Sequence, residues 1–409
     1  MSNNLSLEVP ADTIFQSPSD IGLQLSPEQR TKLDDDLKII EERQHLSVFG
    51  HPYWRDAATQ ALGSIAHKDA GCMSVIVGPT GVGKSTLMRE LEKHLKAKLA
   101  TGSTSDIPVI FEEIVPNAYG PFNWKDFYAR ILSKLNLPLT ADLKKHPTDP
   151  SIVGRLATLH VLRRAFEEST KARNTKVILL DEAQHVALGR MAKGMLEQLE
   201  VLKSMANMCG VHLILSGPYT LLSSMRLSGQ LARRITTVHF PRYKMSAEGL
   251  GAFRDVLCGI IAEMQPWTFD VDLESITEVE YFCKRALGCI GILRPWLLRA
   301  VRKSAGAGTW HVTKECLDQT ALGSINLRII LDEIEEGENL LVETPKDWSA
   351  LEKRLEDNTG QPEVKVPAEK KKGNRFPGEA APRRYPTESD ISIGDSLPTE
   401  VGKPAGDAN

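Results

Sequence analysis

A parallel β-sheet covered by helices on both faces, an α/β fold, is what this sequence predicts, and three observations predict it. The apolar run Met73-Ser74-Val75-Ile76-Val77 leads directly into Gly78-Pro79-Thr80-Gly81-Val82-Gly83-Lys84-Ser85 and then into the amphipathic stretch Thr86 to Leu95. Four further short apolar runs alternate with helical patterns up to about residue 245. From about Ser246 to Leu331 the pattern turns helical with no strand signal.

Taken in order, residues 1 to about 25 mix Pro, Ser and Asp with isolated apolar residues and read as an extended arm. Ser26-Pro27-Glu28-Gln29 supplies an N-cap, a proline at the first helical position and a Gln three residues on, opening a helix through about His45. A second helix is expected from Trp54 to His67, ahead of the first strand. The second strand is Pro108 to Ile114, the third Lys176 to Leu180, the fourth Val211 to Ser216 and the fifth Thr236 to Phe240. A loop from Val115 to Asn123 separates the second strand from a helix over Trp124 to Leu135. The expected organisation is an arm and helix over 1–45, a sheet domain over 46–245, a small helical domain over 246–340 and a mostly disordered tail over 341–409. Residues 359–409 have few large apolar side chains to order them.

The 409 residues carry a net charge of −3, with 41% hydrophobic and 25% charged residues, the profile of a soluble globular protein with no global basic signature. The six cysteines show no C-x-x-C spacing, which argues against a zinc site and for a reducing compartment. No apolar stretch approaches bilayer length and the N-terminus has no basic leader, so a cytoplasmic protein without membrane contact is expected.

Gly78 to Ser85 matches the phosphate-cradling pattern G-x-x-x-x-G-K-[ST] between a strand and a helix. Its glycines permit a tight turn whose amides face phosphate, Lys84 reaches the β- and γ-phosphates of ATP, and the Ser85 hydroxyl ligates Mg²⁺. Leu179-Leu180-Asp181-Glu182 ends an apolar strand on two carboxylates at the edge where open α/β sheets bind ligands. Asp181 is expected to hold Mg²⁺ through water and Glu182 to polarise the attacking water as general base. Ser216 ends the next strand and is placed to orient that water or touch the γ-phosphate. Arg233 and Arg234 precede the fifth strand, where a guanidinium can stabilise charge on a neighbouring subunit's phosphate. Arg294, in the helical region, approaches the nucleotide from the lid side.

These residues together resemble the AAA+ ATPases, and more narrowly the transposition regulators that include TnsC, TniB and MuB. The segments that carry the resemblance are Gly78 to Thr86, Leu179-Leu180-Asp181-Glu182-Ala183-Gln184-His185, Ile214 to Pro218, Leu231-Ala232-Arg233-Arg234 and Gly288 to Arg294, within roughly residues 45–330. The resemblance implies that Ser216 is sensor 1, that Arg233 or Arg234 is the arginine finger and that Arg294 is sensor 2. It also implies a homo-oligomeric ring or filament, hexamer- or heptamer-like, on sequence-nonspecific double-stranded DNA. Such an assembly links a transposase to a target selector similar to TniQ or TnsD, alone or with an RNA-guided complex, and hydrolysis drives its disassembly. In such assemblies the loop after the second strand faces the central axis. Here Lys125 and Arg130 would meet phosphates, and Asn117, Tyr119 and Asn123 would add hydrogen bonds to the DNA backbone. The alternative is an ATP switch in signalling, or an ATPase similar to the ExeA-type secretion group, that acts without DNA.

Overall fold

The structure is a computed structural model that describes residues 25–46, 50–66, 73–117, 120–136, 158–187, 192–225, 235–342 and 345–357. The chain falls into two units, residues 1–342 and 343–409. The expected arm over residues 1–24, the segment 359–409, and Tyr119, Arg233 and Arg234 lie outside the described residues.

Five strands form one parallel sheet: β1 (Met73–Val77), β2 (Val109–Glu113), β3 (Val177–Asp181), β4 (His212–Gly217) and β5 (Ile235–His239), in the order β2-β3-β4-β1-β5. Each observed strand lies within a residue or two of its expected limits. The sequence reads as near-continuous apolar runs because both faces are covered, and successive side chains feed opposite cores. Val75, Val77, Ile178, Leu180, Leu213 and Leu215 pack on one face against α4 (Trp124–Lys134), α5 (Leu159–Ala172) and α6 (Ala192–Cys209). Ile76, Val109, Val177, Leu179, Ile214 and Val238 pack on the other against α2 (Pro52–Ala66) and α3 (Lys84–Lys98).

A third core belongs to the helical region, built from α8 (Ala247–Glu263), α9 (Ile276–Arg285), α10 (Ile290–Gly306) and α11 (Lys314–Thr320); the short α7 (Thr220–Met225) precedes β5 in the sheet domain. Its tryptophans are buried with their N–H groups bonded: Trp267 donates to Ser304 Oγ at 2.8 Å and Trp296 to the Leu317 carbonyl at 2.9 Å. Helix α1 (Pro27–Leu46) belongs to this core, since Leu33 and Ile40 are fully buried in it and Arg302 pairs with Glu41 at 2.7 Å. The capping box expected at its start is formed, with Gln29 N–H donating to Ser26 Oγ and Ser26 N–H to Gln29 Oε1. A two-residue parallel pair, β6 (Thr268–Phe269) with β7 (His311–Val312), corrects the expectation that this region holds no strand. Two residues are too few to leave a period in the sequence.

Helix α12 (Ser324–Asn339) spans from the helical core, through buried Ile334, to the sheet domain. Arg242 forks onto Glu338 at 3.0 and 3.3 Å, and Gly337 lies flat against Tyr219, whose hydroxyl hydrogen-bonds His239 Nε2 at 2.9 Å. In the second unit, Pro345–Asp357 forms α13, within the span where the sequence predicts a mostly disordered tail. Its Trp348, Leu351 and Leu355 are exposed at helical spacing.

Two helical glycines should answer alanine oppositely. A Cβ on Gly337 would sit 2.1 Å from the Tyr219 ring, whereas one on Gly251 in α8 meets nothing within 4 Å. Gly251→Ala should stabilise by about 0.5–1 kcal/mol and Gly337→Ala destabilise by about 1–3 kcal/mol, read from urea unfolding midpoints.

Candidate nucleotide site

Strand β1 lies between β4 and β5, so the loop leaving its C-terminal edge emerges beside the ends of β4 and, one strand further out, β3. Gly78 is required by close approach, because Phe240 N–H donates to Val77 O at 2.8 Å and a Cβ on Gly78 would meet Phe240 O at 2.2 Å. Gly83 has φ 110°, a conformation costly for any side chain, and from it the chain enters α3 at Lys84. Pro79 and Val82 are buried, Ser85 is half-buried, and Thr80 and Thr86 are exposed.

Lys84 is 9% exposed, and its ammonium donates to the carbonyls of Gly78 at 2.9 Å and Pro79 at 2.8 Å. Burial pushes its pKa down, against the opposing pull of the Glu182 and Asp181 carboxylates. The ammonium is therefore held in the loop's mouth by neutral carbonyls and two nearby anions.

Asp181 ends β3 at 2% exposure, and its Oδ1 accepts the Glu182 N–H at 3.0 Å. Glu182 adopts φ 54°, a left-handed conformation seldom taken by residues other than glycine, which turns its carboxylate off the strand line at the sheet's edge. Gln184 Nε2 donates to Glu182 Oε2 at 2.5 Å, and His185 Nε2 lies 3.9 Å from the same oxygen. Ser216 is opposite Ile76 in the β1–β4 register, fully buried, with no hydrogen-bond partner for its Oγ.

The helical region closes on this loop through backbone. Gly291 N–H, in the first turn of α10, donates to Gly81 O at 2.6 Å, and a Cβ on Gly291 would lie 2.5 Å from that oxygen. Arg294, one turn along, pairs with Glu263 at 2.7 Å. The structure thus brings Gly78 through Thr86, Asp181, Glu182 and Ser216 to one sheet edge and sets Arg294 on the helix whose start touches the loop.

Of the expected DNA-facing residues, Asn117, Asn123 and Arg130 have side chains engaged within the chain. Asn123 Oδ1 caps α4 by accepting from the Lys125 and Asp126 N–H groups, and Asn117 Nδ2 donates to Pro121 O at 2.7 Å. Arg130 pairs with Asp126 at 2.8 Å and reaches buried Glu112 at 3.6 Å. Lys125 is exposed. Glu112, Glu113 and Asp126 line the same cleft, which makes this surface more acidic than the loop sequence suggested.

Oxygen donors suit Mg²⁺, and Asp181 and Ser85 supply a buried carboxylate and a hydroxyl beside the loop. Among the described residues no group of three or more His, Cys, Asp or Glu could hold a metal alone. That is the donor set of an ion carried largely by water and phosphate oxygens. Gln184, His51 and Gly291 are contributors that sequence reasoning missed. Gln184 and Gly291 both stand in segments already singled out, Leu179 to His185 and Gly288 to Arg294, but nothing local shows the contacts they make.

The sheet order, the loop and the acidic strand end have the arrangement of a P-loop nucleotide-binding α/β fold. Residues 67–225 match the family model described as an AAA domain. Among solved structures, the chain is similar to a Walker-type ATPase of Pyrococcus abyssi, at 16% identity over 69% of this chain and 74% of that one, with a TM-score of 0.44. The ADP form of Aeropyrum pernix ORC2 gives 16% identity, coverage of 65% and 67% and a TM-score of 0.46. Drosophila ORC bound to DNA gives 13%, coverage of 85% and 87% and a TM-score of 0.43. No curated protein sequence matches the chain. No described helix is long and apolar enough to cross a membrane.

His51 underlies the site: it stacks on Phe240 at 5.8 Å, and its Nδ1 accepts the Trp54 N–H at 3.3 Å at the start of α2. Burial, then the Arg55 charge, lowers its pKa to about 4, and burial does the same for His212. Both stay neutral when folded while the unfolded chain protonates near 6.5, so stability should fall as pH drops from 6.5 towards 4 and level off below. The loss is up to about 1.4 kcal/mol per pH unit per group. His51→Asn, which keeps a capping acceptor, should flatten the pH dependence of the thermal midpoint.

Proposed function

We propose that this protein is an AAA+ ATPase that assembles in its ATP state on duplex DNA and links a target-selecting protein to a transposase, with hydrolysis releasing the assembly. The observation that carries the ATPase reading is the convergence of Lys84, Asp181 and Glu182 at one sheet edge. The loop amides and Lys84 bind the substrate's phosphates, and the ammonium exchanges two carbonyls for phosphate oxygens. Ser85 and Asp181 would hold Mg²⁺, which when bound would supply charge neutralisation at the phosphates. Glu182 takes the proton of the attacking water, and Ser216, whose hydroxyl has no partner within the protein, orients that water or the γ-phosphate.

Arg233 or Arg234 acts on the neighbouring subunit's nucleotide, and this makes the interface between subunits depend on the γ-phosphate. Arg294 reports nucleotide state from the helical region, on the helix that already touches Gly81 through Gly291. The transposition role is supported by the resemblance to TnsC, TniB and MuB. A second reading, an ATP switch that recruits a protein without DNA, is favoured by the neutralisation of Arg130 by Asp126 and Glu112.

Three outcomes test these roles. Glu182→Gln should bind ATP and lose nearly all turnover, while Lys84→Ala should lose binding itself, as read by nucleotide titration alongside phosphate release. DNA binding should be cooperative, require ATP and ignore sequence; its absence in filter binding with a slowly hydrolysed analogue selects the second reading. Lys125→Ala should weaken DNA binding more than Arg130→Ala, because Arg130 is already paired, and removing one phosphate-binding charge should lower the salt slope by about 0.9.

A further inference from the structure

We infer that Gln184 is the positioning residue for Glu182, holding one carboxylate oxygen so that the other faces the attacking water. The inference rests on the reading of Glu182 as general base. Gln184 Nε2 lies 2.5 Å from Glu182 Oε2, the shortest side-chain approach to that carboxylate among the described residues. The other end of the same amide has no partner: Gln184 Oε1 is buried and makes no hydrogen bond. It lies against the end of β4, where a Cβ on Gly217 would stand 2.8 Å from it.

An amide that buries an unpaired carbonyl costs the fold stability, and reversing it would set carbonyl against carboxylate. The orientation is therefore set by Glu182 and not by the surrounding core. Two further features agree. Glu182 itself sits at φ 54°, so its backbone already carries strain at the same place. Ser216, next to Gly217 in the chain, buries a second unpaired oxygen, a hydroxyl. Strained backbone and two unpaired buried oxygens thus collect at the ends of β3 and β4, the pattern of a site kept for chemistry and not for stability.

A free carboxylate on a two-carbon stem samples several rotamers, of which one serves proton transfer. The Gln184 bond removes that freedom, so it should affect the chemical step and leave nucleotide binding alone. The test is Gln184→Met in the full chain, which keeps side-chain length and removes both amide groups. The expected result is a kcat lowered roughly 10- to 100-fold, with KM for ATP, affinity for a slowly hydrolysed analogue and the thermal midpoint close to wild type. Gly217→Ala, which crowds the same carbonyl and the Leu221 side chain without altering any polar group, should lower kcat in the same direction by less.

An unchanged kcat in Gln184→Met, with Glu182→Gln inactive in parallel, overturns the inference. So does a raised kcat, which would make the hydrogen bond a restraint on the base, or a loss of analogue binding matching the loss of kcat, which would make Gln184 part of the nucleotide pocket. Wild-type turnover by Glu182→Gln is a separate failure, that of the reading on which the inference rests.

Discussion

A buried ammonium beside two carboxylates is the constraint on which the rest of this structure turns. Lys84 is desolvated, and in that position a lysine tends to lose its proton. Glu182 and Asp181 oppose the loss, and the carbonyls of Gly78 and Pro79 satisfy the ammonium directly. Those four groups come from two separate loops. A parallel sheet delivers both loops to one edge, because every strand ends on the same side and β1 lies inside the sheet order. Had β1 and β3 run in opposite directions, the two loops would have emerged at opposite edges.

The second constraint is backbone proximity. Phe240 O at Gly78 and Gly291 N–H at Gly81 leave no space for side chains on the phosphate loop or on the helix that meets it. The helical region therefore touches the loop through a peptide group of fixed geometry, with the Ile292 side chain beside it. Any rearrangement of the loop on nucleotide binding is passed to α10 without slack. Through Arg242, Glu338 and the Tyr219–Gly337 stack, α12 ties the same helical core to the loops after β4 and β5. Two independent linkages thus join the helical region to the sheet's ligand-binding edge.

What was legible in the sequence follows from range. The five strands are apolar runs bounded by turn residues, and each signal lies within the run itself, so Met73–Val77 and Val177–Asp181 emerged with little error. Gly78 through Ser85 and Asp181-Glu182 were legible because chemistry fixes both residue type and spacing. The pairing of α1 with the helical core was not legible. It depends on Leu33 and Ile40 meeting residues more than two hundred positions away, and the crowded charges of that helix mask so narrow an apolar stripe. The ion pair of Arg130 with Glu112 failed to register for the same reason: Glu112 lies on a different element, and a basic residue near an acidic one in space carries no mark in the chain, unlike the i,i+4 pair with Asp126.

The residues that local rules handle worst are also the ones closest to the chemistry. Glu182 takes a conformation that favours glycine, while Ser216 and Gln184 bury oxygens without partners. A sequence selected for stability alone would place glycine or asparagine at the first position and apolar side chains at the other two. These three sites lie at the ends of β3 and β4, on the sheet edge at which Lys84 is held. Under the proposed function, substrate and attacking water supply the partner that Ser216 lacks and take up the Glu182 carboxylate, so the bound state gains stability at atoms that act in catalysis. The proposed coupling of nucleotide state to subunit assembly needs such a difference between the empty and filled site, and the proposal places it at the ends of β3 and β4.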